Sequence, residues 1–123
     1  MPCCVDFGIV DAFNPDQDYA LLDTGHPDPY RYFLKKYRCV SVDDDIVNEW
    51  IVPSMKMPAY LGALSRPSHG IDHYAVTLVP PASLPVLLEV VKPWKEADES
   101  VRRLTRLIQE AIENGKYMIV YGV

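Results

Sequence analysis

The 123-residue sequence lacks the hallmarks of several common protein classes. Its three cysteines form neither a disulfide framework nor a C-x-x-C half-site for zinc. No apolar run reaches the ~18 residues of a membrane-spanning helix, and no signal-peptide pattern precedes residue 5. Glycine is scarce, and neither common glycine-rich nucleotide motif, G-x-G-x-x-G or G-x-x-x-x-G-K-[ST], occurs. These absences predict a cytoplasmic protein that folds without a structural metal and uses no cofactor.

Positive charge is also in short supply, because 12 Lys and Arg residues face 17 Asp and Glu residues. The small cluster of Arg102, Arg103 and Arg106 is offset in sequence by Glu99 and Glu110, each four residues from an arginine. An acidic chain without a basic stripe is a poor candidate for binding a phosphate backbone. We therefore expect no nucleic-acid partner and no membrane partner, and we expect any protein partner to be basic.

Apolar patterning predicts a well-formed core, with 49% of the residues hydrophobic. Residues 72–79 alternate as a central strand that is apolar on both faces, which is typical of a strand covered on both sides. Pro80 should end this strand, and residues 83–91 should form a buried helix. A longer amphipathic helix is predicted from an Asp98 cap to about Asn114, with Gly115 as its left-handed C-terminal cap.

The remaining elements follow from shorter patterns. Further strands are predicted at residues 5–10, 37–42 and 117–121, and further helices at 30–36, from 43–45 to about 53, and at 58–64. Because the strongest strands are apolar on both faces, we predict one domain, 1–123, of the α/β (or α+β) class. It should contain about four strands in a mixed sheet with about five helices packed on it, and the helix between the second and third strands would permit a parallel crossover.

Segment 11–36 is the leading candidate for a functional surface. Residues 11–29 make a connection longer than compact domains usually have, and such segments tend to be functional or disordered. Tyr19, Tyr30, Tyr32 and Phe33 lie among acids there, a mixture that resembles interface chemistry. We predict a non-enzymatic protein-binding domain that uses this acidic, tyrosine-containing face. The predicted binding residues are Asp16, Asp18, Tyr19, Tyr30 and Tyr32.

An enzyme is the alternative that the residues leave open. A small, metal-independent hydrolase would assemble its site from His73, Asp43 and Ser68 across the strand ends. No G-x-S-x-G nucleophile elbow accompanies these residues, so the enzymatic interpretation takes second place. A deep pocket lined by two of the three would favour the enzyme, and a shallow acidic face would favour the binder.

Three patterns resemble metal sites, but each has a stronger structural explanation. His69 and His73 lie about 13 Å apart in an extended chain, too far to share an ion. The acids 43–45 suit the N-terminus of a helix, where they satisfy free N–H groups. The alternation at residues 14, 16 and 18 resembles the start of a calcium loop but lacks its glycine and its final glutamate. No metal site is therefore predicted.

One run of the chain resembles a pattern found in a family of short, uncharacterised bacterial proteins. The run is Tyr74-Ala75-Val76-Thr77-Leu78-Val79-Pro80-Pro81-Ala82-Ser83-Leu84. The resemblance extends from residues 37–45 to Tyr121-Gly122. It implies a stand-alone bacterial domain, and it brings with it no activity and no functional residue.

Overall fold

Six antiparallel strands form one sheet in the computed structural model, which describes residues 4–20 and 27–122. In chain order these strands are β1 (Cys4–Val10), β2 (Val40–Asp43), β3 (Pro58–Tyr60), β4 (Pro67–His69), β5 (Val76–Val79) and β6 (Tyr117–Tyr121). The α-helices are α1 (Pro29–Lys36), α2 (Asp44–Ser54), α3 (Leu84–Val91) and α4 (Glu99–Asn114). Short 3-10 turns at Pro81–Ser83 and Lys92–Trp94 flank α3.

The strand order is β2-β1-β6-β5-β3-β4, so the first and last described strands lie side by side in the middle. Their register pairs Asp6 with Tyr121 and Val10 with Tyr117. The fold is therefore α+β. The prediction of a mixed sheet was wrong, because every strand pairing in the described part of the chain is antiparallel. The suggested parallel crossover is also absent there, since β2 and β3 are not neighbours.

Two errors in the predicted elements come from proline-containing segments. Residues 58–64 are not a helix but β3 followed by a tight loop, in which Leu61 and Arg66 exchange main-chain and side-chain hydrogen bonds of 2.9 and 2.6 Å. The sequence also favours a turn over residues 66–70, whereas residues 67–69 form β4 at the sheet edge. Pro58 and Pro67 are each the first residue of their strand, a position where a missing N–H is tolerated.

One face of the sheet is covered by α2, α3 and α4. The predicted apolar face of α4 is buried there, including Leu104 and Ile108, which have no exposed surface. The predicted caps of α4 are confirmed as well. The Asp98 carboxylate accepts a hydrogen bond from the Ser100 N–H, and Gly115 adopts a left-handed φ of 61°. No helix in residues 4–20 and 27–122 is long and apolar enough to cross a membrane.

The opposite face is covered by α1 and the loop of residues 11–20, and it is rich in aromatic rings. Phe13 stacks between Tyr117, at 3.7 Å between ring centroids, and Tyr19, at 5.5 Å. Tyr37 passes so close to β1 that a Cβ at Gly8 would lie 2.7 Å from the Tyr37 Cβ. This close approach explains why no larger residue fits at position 8. Residues 21–26 of the predicted long loop lie outside the described residues.

This aromatic face predicts a loss of stability in alkali. Burial, helped by the Asp6 charge, raises the pKa of the Cys39 thiol from 9.0 to about 12, and burial raises the pKa of Tyr37 from 10.0 to about 12. Both groups are neutral when protonated, so the folded state resists their ionisation and the unfolded state does not. The free energy of unfolding should therefore be constant up to about pH 9 and fall between pH 9 and 12.

Urea denaturation at successive pH values measures this effect. In the Cys39→Ala variant the fall in the free energy of unfolding should begin nearer pH 10, because the ionisation of Tyr37 then determines where it starts. The Tyr74→Phe variant is the control, because Tyr74 is exposed and its loss should leave the profile unchanged. A profile that stays flat up to pH 12 would contradict the assignment of these groups to the buried face.

Candidate functional site

An exposed apolar surface lies where the end of α2 meets the loop before β5. It comprises Tyr74, Met55 and Val52, which are 79%, 56% and 75% exposed, and we call it the Tyr74 patch. Beside it is a shallow hollow of about 270 Å³. The hollow is lined by Ile51, Met55, Ser68, His69, Ile71, Asp72, His73 and Tyr74. Contiguous exposed apolar surface of this kind marks binding sites more often than isolated side chains do.

Local sequence fixes the position of Tyr74. The Asp72 carboxylate accepts a hydrogen bond of 2.8 Å from the Tyr74 N–H, while the Asp72 N–H donates to Thr77 Oγ1 at 3.1 Å. This is an Asx turn, and it delays the start of β5 to Val76. The His73 ring packs edge-on against the Tyr74 ring, at 5.0 Å between centroids. Tyr74 is therefore held outward on an ordered turn, and the prediction that it points inward from a strand was wrong.

The other side of the patch is fixed by the end of α2. Ser54 Oγ donates to the Ile51 carbonyl and accepts a hydrogen bond of 3.1 Å from the Ile71 N–H. Gly70 has a φ of +75°, and a Cβ there would lie 3.0 Å from the Met55 Cα. These contacts join α2 to the loop that carries Tyr74. The two halves of the patch are thus held in one arrangement before any partner arrives.

The hydrolase residues do not assemble into one site. Ser68 and His73 line the same hollow, but Asp43 ends β2 at the opposite edge of the sheet. Five strand spacings separate the two edges, or roughly 24 Å. The hollow is open to solvent rather than deep. His73 Nε2 is buried and has no hydrogen-bond partner among the described residues.

The acidic, tyrosine-containing face is only partly a surface. Tyr19, one of the predicted binding residues, is 4% exposed, and its hydroxyl accepts a hydrogen bond of 2.8 Å from the Asn14 N–H, so its ring lies inside the fold. A hydrogen bond of 2.6 Å from Arg66, with another from the Ala20 N–H, lowers the pKa of the Asp18 carboxyl. Asp18 therefore ties the loop to residue 66. Asp16 is exposed, and Tyr32 lies on the outer side of α1.

Tyr30 has a structural contact as well as an exposed ring. Its hydroxyl donates a hydrogen bond of 2.5 Å to Asp6 Oδ2, and Ser41 Oγ donates one of 2.5 Å to Asp6 Oδ1. Asp6 has no exposed surface. Burial, and then the hydrogen bond to Asp6, raise the pKa of Tyr30. The hydrogen bond between Tyr30 and Asp6 therefore joins α1 to β1. No sequence pattern links residues 6 and 30.

The predicted helix-cap role explains the acidic cluster at residues 43–45. The Asp43 carboxylate accepts a hydrogen bond of 2.9 Å from the Asp45 N–H at the start of α2. The three carboxylates lie within 4.8 Å of one another. Among the described residues they are the only such group, so His69, Asp72 and His73 do not converge on a common point. Exposed acids of this kind are common at helix N-termini, where they favour the macrodipole.

Comparisons with protein-family models, with curated proteins and with solved structures found no match. Membership of a family of short bacterial proteins therefore stays a prediction from the run at residues 74–84. The Tyr74 patch was missed by sequence reasoning, but one signal was present. Aspartate side chains often accept a hydrogen bond from the N–H two residues further on, so Asp72 could have signalled a turn at Tyr74 instead of a strand.

Proposed function

We propose that this protein is a non-enzymatic protein-binding domain whose contact surface is the Tyr74 patch. One observation carries the proposal. Of the five large apolar side chains exposed in the described residues, the three most exposed are Tyr74, Val52 and Met55. Met55 and Tyr74 line the same hollow, and Val52 lies one helical turn before Met55. Tyrosine and methionine are enriched at the centres of protein interfaces, because they supply large contact areas. A shallow hollow beside them suits an inserted partner side chain better than it suits a chemical step.

The rigidity of the patch supports the same proposal. The Ser54 hydrogen bond to Ile71 joins its two halves, and the Asp72 hydrogen bond fixes the turn that carries Tyr74, so little conformational freedom remains to be lost on binding. Tyr74 is the expected hot spot, since it is the most exposed of the three and has a polar hydroxyl at the end of an apolar ring. This places the main contact away from segment 11–36, where Tyr19 and Asp18 are engaged within the protein itself.

The charge of the chain supports a basic partner. A net charge of −5 produces a field that speeds encounter with positively charged proteins. Asp16 and the exposed acids of the N-terminal half would contribute to this steering without contacting the partner. Association should therefore slow as salt increases, while dissociation should depend on the Tyr74 patch.

Site-specific photo-crosslinking in the native host tests the proposal. A benzophenone side chain at position 52 should give a discrete adduct with a second protein, and the same group at the exposed position 89 on α3 should not. With the partner identified, Tyr74→Ala should weaken binding about 30-fold or more, as removal of a hot spot of about 2 kcal/mol requires.

Tyr32→Ala provides the matched control, since it removes an equally large ring from a different surface. We expect its Kd for the partner to stay within about threefold of the wild type, a change of under 1 kcal/mol. Equal adducts at positions 52 and 89, or equal losses from the two tyrosine variants, would overturn the proposal. A catalytic turnover abolished by Ser68→Ala would show instead that the hollow is an active site.

A further inference from the structure

A second hollow, far from the Tyr74 patch in sequence, has a different chemistry. It lies between α4 and the turn that follows Lys92–Trp94, and its volume is about 260 Å³. We call it the cationic hollow. It is lined by Lys95, Glu96, Arg102, Thr105, Arg106 and Gln109. Three of these side chains are cationic and one is acidic, in a chain whose net charge is −5.

The ion pairs around this hollow differ from those that the spacing predicts. Glu110, expected beside Arg106, lies instead 2.8 Å from the Arg38 guanidinium. Glu96 and Glu99 both contact Arg102, at 3.1 and 3.2 Å. Within residues 4–20 and 27–122, no ion pair includes Lys95 or Arg106. Two positive charges at this site are therefore not offset by a direct carboxylate contact.

From this arrangement we infer that the cationic hollow binds the phosphoryl group of a small molecule. Two cations without direct ion pairs match the charge of a phosphate group, which is nearly −2 at neutral pH. The Arg106 guanidinium can donate two parallel hydrogen bonds to phosphate oxygens, and the Lys95 ammonium acts as a point charge. The Gln109 carboxamide, one turn from Arg106, adds a neutral donor.

Arg102 has a positioning role in this site. Its guanidinium is held by Glu96 and Glu99, so it is oriented along the wall of the hollow before a ligand arrives. Arg102 and Arg106 are four residues apart on α4, so their side chains extend from the same face of the helix. The two acids also limit the total positive charge, which favours one compact anion over a long polyanionic backbone.

A titration with inorganic phosphate tests this inference. The NMR signals of the arginine Nε–H and glutamine amide groups are monitored during the titration. Sodium chloride is adjusted so that ionic strength stays constant. Saturable shifts are expected for Arg102, Arg106 and Gln109, because these groups line the hollow. Arg106→Gln should weaken binding about tenfold or more, since a hydrogen bond between charged groups is lost.

Arg103→Gln is the matched control, because it removes the same charge from the same helix at an exposed position outside the hollow. Its Kd for phosphate should stay within about twofold of the wild type, the change expected from net charge alone. Equal weakening by the two variants, or shifts that chloride reproduces, would overturn the inference. Circular dichroism confirms that each variant is folded, which the exposure of both arginines leads us to expect.

Glycerol 3-phosphate and glycerol distinguish the source of the phosphoryl group. If the ester binds at least as tightly as free phosphate, while glycerol does not bind, the ligand is an organic phosphate monoester. If only free phosphate binds, the ligand is inorganic phosphate. If neither anion gives saturable shifts, the cationic hollow is not a phosphoryl site.

Discussion

Replacement of Ile108 by alanine should lower the free energy of unfolding by about 2–5 kcal/mol, and replacement of Leu104 should have a similar effect. Both side chains are fully buried on α4, in the core that this helix forms with α2, α3 and the sheet. Each substitution removes apolar contacts and leaves a cavity. The surrounding helices and strands can fill it only in part, because they are fixed by other contacts.

Arg103→Ala is the control for this prediction, since Arg103 lies on the exposed side of the same helix. Exposed charges contribute little, so its cost should be under about 1 kcal/mol. Guanidinium denaturation of the three variants measures the difference. If Arg103→Ala and Ile108→Ala were equally destabilising, the buried face of α4 would be assigned incorrectly.

The second large effect is expected at Tyr30, although its ring is 41% exposed. Tyr30→Phe removes the hydroxyl that donates to the buried Asp6 carboxylate. Hydrogen bonds to charged groups contribute about 1.5–3 kcal/mol. A buried carboxylate that loses a donor cannot replace it with a hydrogen bond from solvent water. We therefore expect the free energy of unfolding to fall by about that amount. Tyr74→Phe should change it by less than about 0.5 kcal/mol, because Tyr74 is a surface residue.

A double-mutant cycle separates this hydrogen bond from any effect on ring packing. In an Asp6→Ala background, Tyr30→Phe should cost less than about 0.5 kcal/mol, since the hydroxyl no longer has a carboxylate to contact. The Tyr30 ring also packs edge-on against Tyr121, at 5.7 Å between centroids, and the phenylalanine ring keeps that contact. The same cost in both backgrounds would mean that the bond between residues 6 and 30 contributes nothing.

The sequence predicted those elements whose signals are local. Helix α4 has a full apolar face, an Asp98 cap and a Gly115 cap, and its bounds are as expected. Asp28, a residue type suited to an N-cap, and Pro29, suited to a first helical turn, likewise mark the start of α1 in the sequence. Strand direction was not predictable, because side chains alternate in the same way in parallel and antiparallel sheets. Strands β3 and β4 have three residues each and contain proline, so they resembled a helix start and a turn.

The candidate site was harder to predict because it depends on contacts between distant parts of the chain. Ser68 and His73 were identified, and they share a hollow, but Asp43 was grouped with them without knowledge of strand order. Tyr19 appeared exposed since its neighbours in sequence are polar, whereas Phe13 and Tyr37 enclose it. Val52 and Met55 are exposed at the end of α2, and only the tertiary structure brings Met55 to the hollow that Tyr74 also lines.

The pairing of β1 with β6 in the middle of the sheet has a consequence for biosynthesis. As the chain leaves the ribosome, β1 can pair with β2 early, and β5, β3 and β4 can pair with one another. These two half-sheets cannot join until β6, the last described strand to be synthesised, enters between β1 and β5. Until then each half has an open edge with free N–H and C=O groups, to which other nascent chains can pair. The nascent chain is thus most prone to aggregate in the interval before β6 has joined the two half-sheets.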